Sequence, residues 1–131
     1  MPEFQAGDDL IFQLESGFGL LRVLAVEGEG AGAVWHLLAY EDFYPSVEAA
    51  EAALETAGTA LEAAGSALAG PQPLAVRKAH MALTNRAFER TPAARLGNRQ
   101  VAEDELVEYR KWLEGDRAVS DRSALLMLGI R

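Results

Sequence analysis

The chain reads as an α+β domain: a strongly bent antiparallel sheet or partly open barrel, packed against one long alanine-rich helix and two carboxy-terminal helices. Three observations predict it. Short branched and aromatic runs separated by glycine-rich turns form a β-meander over residues 1–44. An apolar seam of alternating three- and four-residue steps marks a helix over 45–70. After a basic strand and loop segment over 71–100, two amphipathic stretches closed by glycines occupy 101–131. At 131 residues this is one domain, long enough to bury about two-thirds of its unfolded surface without a staple.

Asp8-Asp9 lead into a first strand, Leu10 to Leu14, and Glu15-Ser16-Gly17 turn the chain. Phe18 to Val26 form a second strand. Leu21, Val23 and Ala25 lie on one face of it, and Leu20, Arg22, Leu24 and Val26 on the other. Apolar residues on both faces predict a strand covered on two sides, or one so curved that each end reaches the core. The glycines of 27–32 supply a flexible connection, and Val34 to Tyr40 make the third strand.

Pro45-Ser46 open the long helix, with Ser46 as N-cap and Glu48 and Glu51 in its first turns, where the helix dipole favours acids. Val47, Ala50, Leu54, Ala57, Leu61, Ala64 and Leu68 form the seam, and Glu48, Glu55 and Glu62 an acidic stripe at seven-residue spacing. Packing on the sheet is the expected use of this seam; dimerisation through 47–68 is the alternative. Gly70-Pro71-Gln72-Pro73 end the helix. Residues 74–90 fit two patterns, a helical face of Val76, Ala79, Leu83 and Ala87 and a strand alternation of Ala79, Met81 and Leu83. A strand is expected over about 77–88, since the meander wants a further partner, with loops at Thr91-Pro92 and Gly97-Asn98. A helix from about 102 to 114 presents Ala102, Leu106, Tyr109 and Leu113 to the core and stops at Gly115. Ser120 then caps a short helix carrying Leu125, Leu126 and Leu128. The large apolar residues of 10–44 and 101–130 are expected to supply the core.

Charge is unevenly spread. Residues 1–70 hold twelve acids and one base, Arg22, within a chain of net charge −8. Arg77, Lys78, Arg86, Arg90, Arg95 and Arg99 then face a single acid, Glu89. Such asymmetry suits docking, whether between the two halves, between two subunits, or onto a protein partner. The overall acidity and the shortage of aromatics among the bases argue against nucleic acid, and no apolar run approaches the roughly 20 residues of a membrane span. The amino terminus shows no signal-peptide pattern, so a cytoplasmic protein is expected.

Catalytic motifs of the HExxH, GxSxG, P-loop and GxGxxG kinds are absent, and with no cysteine there is no thiol nucleophile or thiolate zinc site. No cofactor is expected. The histidines are two, His36 and His80. A strand-edge or core role with one hydrogen bond explains His36; a carboxylate–histidine site with Glu41 and Asp42 is the enzymatic alternative.

The run Gly7-Asp8-Asp9-Leu10-Ile11-Phe12-Gln13-Leu14, followed by Gly17-Phe18-Gly19-Leu20-Leu21-Arg22-Val23-Leu24, resembles the opening of small bacterial SH3-like barrels. Its G-D-x-hydrophobic and G-x-G-x-x-R-V elements are similar to Imm26-type immunity proteins of polymorphic toxin systems, and more distantly to the polymerase-interaction module of CarD-like regulators. The likeness covers about 20 residues. It implies an SH3-like barrel, with Gly17 and Gly19 shaping the first hairpin and Arg22 on the second strand, and a binding role without catalytic residues. The expected function is therefore a non-catalytic protein-interaction module, of the immunity or inhibitor kind. It would act through the arginines of 77–99 or the Glu48/Glu55/Glu62 stripe, and the acidic face would suit a basic toxin. A small carboxylate–histidine enzyme and a transcription-associated binder are the alternatives.

Overall fold

The computed structural model describes residues 4–15, 17–64 and 74–128 and, for 56–64 and Leu126, the backbone only. Five strands form one antiparallel sheet: β1 (Asp8–Leu14), β2 (Gly17–Glu27), β3 (Val34–Tyr40), β4 (Val76–Thr84) and β5 (Ala94–Asn98), in the order β4-β3-β2-β1-β5. The sheet is open, with β4 and β5 as its two edges. The predicted meander is therefore present, and the basic segment extends it on both sides.

Both faces of the sheet are covered, as the two-sided β2 pattern predicts. On the first face Leu10, Phe12, Leu21, Val23, Trp35, Leu37, Met81 and Leu83 pack together. Beneath them lie α2 (Asn85–Glu89) and α4 (Ala124–Met127), through Ala87, Phe88, Ala124 and Leu128. On the second face Ile11, Leu20, Leu24, Leu38 and Tyr40 meet Ala50 and Leu54 of α1 (Val47–Ala64). Each such side chain, when fully buried, contributes about 1.5–3 kcal/mol. A register shift between Val23 and Ala25 passes Val26 to the first face, so the strict alternation of β2 breaks there. The carboxy-terminal stretch supplies less core than expected, and β4 with α2 supplies more.

Gly19 is a packing glycine. A Cβ there would lie 2.3 Å from Phe12 Cζ, because the Phe12 ring lies over its cross-strand partner. Ser46 caps α1 as predicted, its Oγ accepting from Ala49 N at 3.1 Å. The described part of the seam, Val47, Ala50 and Leu54, faces the sheet. The seam side chains from Ala57 onward, and the predicted helix end over 65–70, lie outside the description.

Four elements differ from expectation. The strand predicted over 77–88 runs from Val76 to Thr84, because Thr84 leaves the ladder and its Oγ1 accepts from Ala87 N at 3.1 Å, starting α2. That turn lets Phe88 fold back and stack on Trp35, with centroids 4.3 Å apart. Gly97-Asn98, predicted as loop, end β5, where Asn98 donates to Asp8 Oδ1 at 2.8 Å. Over 102–114 the first turn is a 3₁₀ turn (Glu103–Leu106), and the α-helix is α3 (Val107–Glu114). Glu105 reaches back to accept from Ala102 N at 2.8 Å, and Ala102 is exposed rather than on the core face. Ser120 does not cap a helix. It docks on the outer edge of β4, its N–H donating to Ala82 O and its C=O accepting from Thr84 N. Among the described residues no helix is long and apolar enough to cross a membrane.

Candidate functional site

The polar residues of the second sheet face gather in two neighbouring groups. The first surrounds Arg22, the one base of the amino-terminal half, whose side chain is 1 % exposed in the middle of the sheet. Asp9 is its cross-strand partner, and Arg22 Nη1 donates to Asp9 Oδ1 at 3.1 Å and to Gly7 O at 2.9 Å. Nε donates to Glu105 Oε1 at 2.5 Å, and Nη2 donates to Arg99 O, Gln100 O and Glu105 Oε2. A guanidinium carries five N–H donors, so this one is saturated.

Arg99 completes the group. Its Nε and Nη2 grip the two oxygens of Asp9 at 2.8 and 3.1 Å. This chelation holds the Arg99 guanidinium above its ordinary range. Burial, with Asp9 nearby, pushes the Tyr40 hydroxyl up as well, so it stays neutral. Gly7, at φ +92°, closes the network: a Cβ would stand 2.4 Å from Arg99 O.

The second group is a histidine pair. His36 Nδ1 and His80 Nε2 are 2.9 Å apart, and His36 Nε2 is 2.6 Å from Glu27 Oε1. The rings stack with centroids 5.1 Å apart, and Tyr109 and Trp112 of α3 lie over them at 4.5 and 4.6 Å from the His36 ring. Burial lowers both histidines, His80 to about 4, with the neighbouring His36 adding to the effect there. Both are therefore neutral at pH 7. In the tautomer in which His36 Nε2–H donates to Glu27 Oε1, His36 Nδ1 accepts from His80 Nε2–H. His36 is fully buried and makes two hydrogen bonds where one was expected. It does not join Glu41 and Asp42, which are exposed on the loop beyond β3.

Beside these groups lies a cavity of about 540 Å³, between the β3–β4 edge of the sheet and the 99–108 segment. Leu38, Leu74, Val76, Ala79 and Val107 give it apolar walls. Tyr40, Arg99, Asp104, Glu105 and Glu108 supply its polar lining. Among the described residues no group of three or more His, Cys, Asp or Glu side chains could hold a metal ion.

The residues singled out from the sequence are dispersed. Arg95 lies 3.9 Å from Asp8, and Arg99 chelates Asp9, so two of the five arginines meet acids of the first seventy residues. Arg86 pairs with Asp121 at 2.5 Å, and Arg90 donates to the Asp121 carbonyl. Arg77 donates to Leu128 O, and Lys78 is exposed on β4. Glu48 and Glu55 stand exposed on α1, whereas the Glu62 side chain lies outside the description. The buried arginine, the Glu27–His36–His80 chain and the Tyr109/Trp112 cover are not legible from motif spacing. The usable signal for the first was a lone base in an apolar strand, with Asp8-Asp9 at the start of the neighbouring one. No protein-family model matches this chain, and no curated protein or solved structure is significantly similar to it.

Proposed function

We propose that the protein is a non-catalytic interaction module that receives a basic protein partner on its α1 face. The observation that carries this reading is the division of labour among its charges. Asp8, Asp9 and Glu105 are spent on arginines of the same chain, and Glu27 accepts a hydrogen bond from the neutral His36. Glu41, Asp42, Glu48, Glu51 and Glu55 are exposed and, among the described residues, form no ion pair. Glu48, Glu51 and Glu55 share one helix face, being three and four residues apart. Phe43, 40 % exposed, lies between the loop acids and the helix. An exposed aromatic within an acidic field provides an apolar anchor and a charge that speeds encounter with a cationic surface.

An immunity or inhibitor role, in the cytoplasm, is the finer form of this reading. The SH3-like resemblance draws support from the strand order: β5 returns to pair with β1, so only the β4–β5 seam is wanting for a five-stranded barrel. The Arg22 network supports a structural use of the polar groups that an enzyme would need, since every Arg22 donor is already engaged. Affinity capture from the native lysate at low and high salt tests the proposal, using the wild type beside the Glu48→Gln/Glu51→Gln/Glu55→Gln and Phe43→Ala variants. One stoichiometric basic partner, lost at high salt and in both variants, is the expected result. A partner retained by both variants would refute the assignment to this face.

A further inference from the structure

We propose that the cavity between β4 and α3 is a binding site for a small amphipathic cation, an apolar body carrying an ammonium group. This site lies apart from the α1 surface and does not depend on a protein partner there. Its size, about 540 Å³, is that of a small-molecule pocket. The walls are apolar, and two of them are oddly wet: Val76 is 44 % and Val107 46 % exposed, one on the sheet edge and one on α3. Half-exposed valines lining one opening lose that exposure when an apolar ligand enters between them.

Charge decides the head group. The two arginines that line the cavity offer an anion little, because their charges are already matched. Arg22 has spent all its donors on Asp9, Glu105 and three carbonyls, and Arg99 is chelated by Asp9. What remains at the opening is negative. Asp104 has no ion-pair or hydrogen-bond partner among the described residues, and Glu108 has only an exposed contact with Lys111 at 3.3 Å, which water screens. The neutral Tyr40 hydroxyl adds a polar group that tolerates a neighbouring cation. The net charge of −8 adds a long-range attraction of the same sign.

Calorimetric titration of octylammonium, octanol and octanoate into the intact protein tests this. Saturable binding of octylammonium, about tenfold tighter than octanoate, is expected. Two variants carry the location. Val107→Trp fills the opening from an exposed position and should abolish binding, and Val76→Lys places a like charge there and should weaken it by about tenfold or more. Circular dichroism checks that each variant keeps the wild-type fold; if one does not, the other decides. Asp104→Asn/Glu108→Gln should reduce octylammonium to the affinity of octanol. Octanoate binding as well as octylammonium would overturn the charge assignment. Failure of all three ligands to saturate, or binding that survives both Val107→Trp and Val76→Lys, would overturn the site.

Discussion

Acidification should destabilise this protein through the histidine pair. His80 sits against His36 at 2.9 Å, under Tyr109 and Trp112, with Glu108 and Lys78 as the other charges acting on it and Glu27 on the far side of His36. Its pKa is held down to about 4 from an ordinary 6.5. The unfolded chain therefore takes up this proton first. The stabilising contribution is complete above pH 6.5 and is lost progressively as the pH falls to about 4. The displacement corresponds to a ceiling of roughly 3 kcal/mol. Water reaches part of the ring, so a realistic loss is roughly 1–2 kcal/mol, a sizeable fraction of the stability of a domain this size. Urea denaturation followed by tryptophan fluorescence between pH 7 and pH 4 measures it, comparing the wild type with His80→Gln. Glutamine can still donate to His36 Nδ1 but does not titrate, and the carboxylates common to both proteins cancel in the difference. The wild type should lose stability faster than the variant between pH 6.5 and 4. Equal slopes would refute the reasoning.

Three further outcomes follow from the packing. Arg22→Met should cost about 3–5 kcal/mol, because Asp9 and Glu105 are left without their buried cation; the urea midpoint reports it, and Arg22→Lys should not restore a fork that serves two carboxylates and three carbonyls. Gly19→Ala should cost about 1–3 kcal/mol by driving a methyl into the Phe12 ring, and a second change, Phe12→Leu, should recover part of the loss in thermal melts. Trp112→Ala opens the cover over His36, so the His36 pKa should rise towards its ordinary value. Proton NMR of the imidazole C2–H resonance follows that titration directly.

Much of the architecture is legible in local sequence. The meander, the cap at Ser46 and the seam residues Ala50 and Leu54 are set by periodicity and turn chemistry, which act over a few residues. The β4–α2 boundary is not, because residues 74–90 fit both a helical and a strand pattern. Thr84 resolves it through its own cap and through the place that Trp35, distant in sequence, offers to Phe88. β5 was hidden for a related reason: Gly97-Asn98 reads as a turn until Asp8 supplies the acceptor for Asn98.

The same contrast separates the charges. Sequence by itself determined that the chain is an acidic α+β domain, that β2 has two apolar faces, and that a solitary arginine lies within it. Only the tertiary structure decided what that arginine and the histidines are for. Glu105 lies eighty-three residues from Arg22, and His80 forty-four from His36. A partner at such separation leaves no spacing to read. Its identity follows from which side chains the sheet register and α3 bring within hydrogen-bond reach, and burial then fixes which of them keep their charge.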